Sequence, residues 1–237
     1  MGKCMFLRKG SVHEAPVTYA ANFADNTWEQ IIEACQKNKV PKTWNVGDQK
    51  IMTIGGYDYN IDIIGKNHDV YSTGGTAPLT LQTHECYPTK YSMNSSNTSS
   101  GGWTSCRMRD SSLPSLLTKM PSAVQSAIKE VSKTTGAGNN STNIVTTNDK
   151  LFLLSQIEIF GQNWDSASGE GTQYAYYAAG NSKIKRIVNN TTGVNEFWWT
   201  RSPTIGYTTS FNRVQKDGNS FFDGAYSSHG VSFAFCF

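Results

Sequence analysis

The stretch WWTRSPTIGYTTSFNRVQKDGNSFFDGAYSSHGVSFAFCF, at the C-terminal end, constrains the fold more than any other. Residues 198–201 and 231–237 read as core strands, being dense in Trp, Phe and Val. Between them lies a run of Tyr, Phe, Ser, Asn, Asp and Arg. KDGN at 216–219 marks a hairpin turn, so SFNRV and SFFDG face each other as paired strands. Such a chain must fold with rigid apolar strands on both sides of an amphipathic hairpin. Tyr and Phe offer large contact area at low entropic cost, and Ser and Asn add adaptable hydrogen bonds, so the hairpin has the composition of a binding surface.

The rest of the chain is that of a turn-rich mixed α+β protein. Of 237 residues, 21 are Gly, which favours short strands and turns over long helices. TWEQIIEACQKN repeats Trp28, Ile31, Ile32 and Cys35 at helical spacing, with Asp25 or Asn26 as the expected cap and Pro41 as the stop. IMTIGGYDYNIDIIG reads as a hairpin turning at Gly55 and Gly56. Alternation there puts Tyr57, Tyr59, Ile61 and Ile63 on a buried side and Asp58, Asn60 and Asp62 on a wet one. PLTLQTHECY is a further strand and SMNSSNTSSGGW a loop. The spacing of Ala123, Val124, Ala127, Ile128 and Val131 predicts a helix running on through KEVSKTT. KLFLLSQIEIFG is an apolar strand or short helix, and a short helix follows the loop after it. KCMFLRKG reads as a first strand. The style of the sequence changes near residue 45, so residues 1–45 read as a small attachment or capping segment and 46–237 as the main domain.

Charge excludes some functions. The net charge is +3 with 16% charged residues, and the densest basic run, KIKR at 183–186, is short. Nucleic-acid binding draws much of its affinity from phosphate neutralisation, which this balance does not supply. No segment is apolar for long enough to span a bilayer, and the N-terminal residues carry no secretory signal pattern, so neither membrane insertion nor classical export is expected. The five cysteines (Cys4, Cys35, Cys86, Cys106 and Cys236) are widely spaced without a CxxC, which argues for reduced buried thiols and against a disulfide or zinc scaffold.

Catalytic patterns are sparse. NHDVY and THECY place His68, Asp69, His84, Glu85 and Cys86 where a metal would find ligands if their strands were neighbours, which makes a metal-dependent hydrolase the enzymatic alternative. Hydrogen-bonded structural histidines are the plainer reading. There is no HExxH, GxSxG, phosphate loop or dinucleotide fingerprint. The expectation is a protein that is not an enzyme and holds neither metal nor cofactor.

Several segments carry a resemblance. NTWEQIIEACQKNKVPKTWNVGDQKIMTIGGYDYNIDIIGKNHDVY resembles the opening of tail-associated and surface proteins of phages and prophages. KYSMNSSNTSSGGWTSCRMRD, LFLLSQIEIFG and FWWTRSP…GVSFAFCF resemble an uncharacterised domain in the same proteins, over most of residues 26–237. That family is grouped with C-type-lectin-like folds, and some relatives are variable proteins of diversity-generating retroelements. The resemblance implies an α+β, C-type-lectin-like domain displaying a variable C-terminal surface. Trp198, Trp199, Arg201, Pro203, Gly230, Val231, Phe233 and Phe235 match its framework. Tyr207, Thr209, Asn212, Arg213, Phe222, Asp223, Tyr226 and Ser228 fall at its ligand-facing positions. It implies adhesion to a host-cell receptor, protein or glycan, in a virion tail, with other tail proteins and a homo-oligomer, such as a trimer, as the setting. A purely structural tail component is the remaining alternative. The calcium-coordinating triplets of sugar-binding lectins and the paired cysteines of formylglycine-generating enzymes are absent.

Overall fold

A computed structural model describes residues 18–189 and 191–237. The expected first strand at KCMFLRKG lies outside the described residues. Helix α1 (Trp28–Gln36) is capped by Thr27, not by Asp25 or Asn26. The Thr27 hydroxyl accepts from Gln30 N at 3.2 Å and the Gln30 side chain accepts from Thr27 N at 2.8 Å, a reciprocal capping box. Asn26 instead folds back, donating to the carbonyls of Ala20 and Asn22. The apolar stripe of α1 buries Ile31, Ile32 and Cys35 in the same core cluster as Phe23, Trp44 and the strands that follow.

Strands β1 (Gln49–Ile54) and β2 (Tyr57–Lys66) form the expected hairpin. The wet face of β2 is only partly wet. Asp62 is buried, because His84 and Gln49 cover its carboxylate. Strand β3 (Leu79–Thr83) pairs with β2, and the C-terminal strand, β11 (Ala234–Cys236), closes on β3, giving a sheet in the order β1-β2-β3-β11.

A π-helical turn at Met108–Ser112 leads into α2 (Leu113–Leu117), and α3 (Ser122–Ala127) follows. Here the helical expectation fails. Val131 does not continue α3 but opens β4 (Val131–Gly136), which pairs with β5 (Ile144–Asp149) across the turn-rich loop. The spacing of Ala127, Ile128 and Val131 is common to a helix and to a helix that breaks into a strand. KEVSKTT has Thr, Ser and Val where a strand wants them. Residues 151–154 are buried, and Phe152 bridges to Ala234. Helix α4 (Gln156–Phe160) is capped by a second capping box between Ser155 and Glu158, and α5 (Ala175–Ala178) follows.

A short ladder of β6 (Lys185–Arg186) and β7 (Asn195–Glu196) precedes the C-terminal sheet. That sheet is β8 (Trp198–Pro203), β9 (Ser210–Val214) and β10 (Ser220–Gly224), in the order β10-β9-β8. The chain ends in β11 (Ala234–Cys236). The molecule is thus a mixed α+β fold of short antiparallel strands and a few helices, with β8 and β11 buried throughout.

Candidate functional site

All eight framework positions named from the sequence are buried. The indole of Trp198 donates to Lys183 O at 2.9 Å and that of Trp199 to Tyr91 O at 2.8 Å, so each buried N–H is satisfied. Between Trp199 and Pro203 the register of β8 against β9 shifts. Arg201 N turns to Leu154 O at 2.9 Å, and its guanidinium enters the core beneath α4. There it forks onto Glu158 and donates to Leu153 O and Thr135 Oγ1, both at 2.9 Å. Gly230 allows a close approach: a Cβ there would stand 2.7 Å from Cys86 Sγ and 3.0 Å from Phe197 O. This lets Gly230 N reach Phe197 O and Trp199 N reach Gly230 O, tying β8 to the run into β11.

On this frame β10 is the edge strand, and its side chains and flanking loops form an open aromatic face. Tyr207 is 49% exposed, Phe221 48% and Tyr226 59%. Phe222 is half-buried, its ring 4.6 Å from Tyr207 and 4.9 Å from Phe221. Thr209 and Asp223 are half-buried and Ser228 is exposed. The two remaining candidate positions do not face solvent. Asn212 is fully buried, donating to Asp165 O at 3.1 Å, and Arg213 is 8% exposed with its guanidinium 4.0 Å over the Phe197 ring. All five residues of β9 are buried, so both faces of this strand are covered by the rest of the fold.

Asp223 anchors the inner rim of the face. Burial alone would raise its carboxyl, but hydrogen bonds from Gly224 N, His229 Nε2 and Ser227 Oγ at 2.8, 2.9 and 3.2 Å hold it below the usual carboxylate range. Burial lowers the pKa of His229, whose ring packs 4.6 Å from Trp199. The ring is therefore neutral at pH 7 and donates from Nε2 to the ionised Asp223. Loops brace the outer rim: Ser99 N donates to Thr208 O at 2.8 Å and Ile205 N to Asp165 O at 2.8 Å.

The histidines of the enzymatic alternative are engaged in structure and belong to different clusters. His84 Nδ1 lies 2.8 Å from Asp62 Oδ2, and Glu85 accepts from the backbone and side chain of Asn60 at 3.0 and 2.8 Å. His68 stacks on Tyr174 at 4.0 Å. Asp69 accepts from Lys133 Nζ at 2.7 Å. Burial pushes its carboxyl up, but the Lys133 charge and hydrogen bonds outweigh that and hold it at about 2. Burial pushes the Cys86 thiol up to about 12, away from reactive thiolate. Among the described residues no group of three or more His, Cys, Asp or Glu is arranged to hold a metal ion. Also among the described residues, no helix is long and apolar enough to cross a membrane.

The sequence reading misses the buried charge cluster behind the face. Lys133 Nζ lies 2.6 Å from Glu158 Oε1 as well as on Asp69, and Glu158 also holds Arg201. Arg109 lies apart from this cluster, pairing with Asp149 at 2.6 Å and with Asp110 at 3.2 Å.

A model of a domain of unknown function, DUF6273, matches residues 76–237. The chain belongs to the DUF6273 family. The matched span runs from just before β3 to the C-terminal strand, so it contains the whole frame and the aromatic face of this DUF6273 chain. No curated protein and no solved structure matches the chain.

Proposed function

We propose that this DUF6273 protein is a non-enzymatic receptor-binding or adhesion protein, with a C-type-lectin-like domain that presents its C-terminal aromatic face to a host-cell surface. The observation that carries the reading is the contrast within one small sheet. Tyr207, Phe221 and Tyr226 are each about half exposed, while the β8 residues behind them are fully sealed. Exposed aromatics are costly in water and are characteristic of binding hot spots. A frame ordered at folding leaves little entropy to lose when a ligand docks. The resemblance to phage and prophage tail proteins supplies the setting: a virion tail, neighbouring tail proteins and a homo-oligomer, with the C-terminal face as the element open to diversification.

The test is adsorption to host cells. Replacing Tyr207, Phe222 and Tyr226 together by Ala is expected to abolish binding while the thermal transition stays cooperative. Normal adsorption by a folded triple variant would overturn the proposal. A reverse-transcriptase gene beside this one, with a near-copy of the 198–237 coding segment, is the expected mark of diversification.

A further inference from the structure

Beside the β9–β10 hairpin lies a cleft of about 440 Å³ lined by Phe160, Trp164, Asp165, Lys183, Asn219 and Ser220 among others. Its volume is within the range of small-ligand sites. Four of the six tryptophans of this chain are fully buried, yet Trp164 is 61% exposed. Its indole is held at a tilt against Phe160, with ring centroids 5.4 Å apart. The position of the loop beneath it is fixed: Asp165 N donates to Gln156 Oε1 at 3.2 Å, and Asp165 O accepts from Ile205 N and Asn212 Nδ2. The floor is equally fixed, with Ser220 Oγ accepting from Gln156 Nε2 at 2.8 Å.

Three polar groups beside this ring are uncommitted. The Asp165 carboxylate and the Trp164 indole N–H make no hydrogen bond or ion pair among the described residues. Lys183 Nζ is in contact with the Phe160 ring, 5.6 Å from its centroid, and pairs with no carboxylate among the described residues. One cleft therefore offers a flat apolar face together with a free acceptor and a free donor of opposite charge, beside an Asn219 side chain whose Nδ2 donates to Asp217 Oδ2 at 3.0 Å. A sugar ring has the complementary chemistry: an apolar face of C–H groups and a rim of hydroxyls that both donate and accept. The two opposite charges leave no net demand for a charged ligand. An apolar peptide would leave both ions desolvated and unpaired, at a cost of several kcal/mol.

We propose that the Trp164 cleft is a calcium-independent binding subsite for an uncharged saccharide, at the turn end of the hairpin whose β10 strand carries the aromatic face. This rests on the binding function proposed above and names the ligand class.

The test uses the whole protein on an array of neutral, amino and acidic oligosaccharides in the presence of a calcium chelator. Binding to at least one neutral oligosaccharide is expected, weakened tenfold or more by Trp164→Ala and partly restored by Trp164→Phe. The same sugar is expected to shield tryptophan emission from acrylamide in the unmodified protein and not in Trp164→Ala. Trp164 is exposed, so the thermal transition of the variant should match the parent. A silent array, binding confined to acidic sugars, or equal binding by Trp164→Ala would overturn the subsite. If Trp164→Ala adsorbs to host cells normally while the Tyr207, Phe222 and Tyr226 triple variant does not, the subsite fails and the proposed function stands. If both variants adsorb normally, the proposed function fails as well.

Discussion

Arg201 Nη2 donates to Glu158 Oε1 over 2.9 Å, and neither side chain reaches solvent. Glu158 belongs to the capping box of α4 and also holds Lys133, so one carboxylate joins α4, β4 and β8. Burial raises the Glu158 carboxyl, but the Arg201 and Lys133 charges outweigh this and keep it ionised. Removing one partner leaves a buried charge uncompensated. Arg201→Met or Glu158→Gln is therefore expected to destabilise the protein by about 3–5 kcal/mol, read as a lowered urea midpoint. A loss below about 1 kcal/mol, the value of an exposed pair, would show that the pair does not hold the frame.

Gly138 locks the loops that support Tyr207. Its φ is +77°, and a Cβ there would stand 1.9 Å from Ser99 O and 2.6 Å from Gly102 N. Ser99 N in turn donates to Thr208 O, and Asn140 Oδ1 accepts from Gly206 N. Gly138→Ala must push these loops apart, against backbone that cannot yield. The expected result is a stability loss of about 1–3 kcal/mol with a larger proportional loss of adsorption. Adsorption loss without any change in stability would place the effect in the face alone.

What the sequence made legible follows from the range of the interactions. The β9–β10 hairpin is readable because KDGN sits between two strands that pair locally, from Val214↔Ser220 outward. Helix α1 is readable from its apolar spacing, though its cap is Thr27, in a reciprocal box with Gln30, and not Asp25 or Asn26. The charge cluster is not readable: Lys133 and Asp69 are 64 residues apart, and Arg201 and Glu158 are 43. No local pattern marks a lysine as buried when its partners come from distant elements. Six of the eight candidate face positions lie at or near the surface. Asn212 and Arg213 do not, and composition alone could not say that β9 is covered on both faces.

Thiol chemistry at the four cysteines of the described residues should be silent in the native state. Burial pushes Cys35, Cys86 and Cys106 up to about 12 and raises Cys236 well above its ordinary value. A three-unit rise leaves on the order of a thousandfold less thiolate at pH 8. These four thiols are expected to react with Ellman's reagent only after denaturation. Fast native labelling at any of them, located by peptide mass mapping, would contradict the packed core described above.

Glu170 makes the stability of the fold depend on pH. Burial pushes its carboxyl up to about 7, against hydrogen bonds from Ser202 Oγ and Gly136 N. An unfolded chain releases this proton near pH 4.5, so between that value and 7 the folded state binds more protons than the unfolded one. The contribution of Glu170 is fully present below about pH 4.5 and is lost as pH rises through 7, by about 3 kcal/mol in total. Glu170→Gln keeps an acceptor for Gly136 N and carries no charge. It should flatten this part of the stability profile and raise the urea midpoint at pH 8 relative to the parent. Asp69 acts in the opposite sense. Its pKa, held at about 2, contributes stability that is lost as pH falls from about 4 through 2, and Glu170→Gln leaves that acid limb in place. Parallel stability curves for parent and Glu170→Gln from pH 4.5 to 8 would show that Glu170 is not the group responsible.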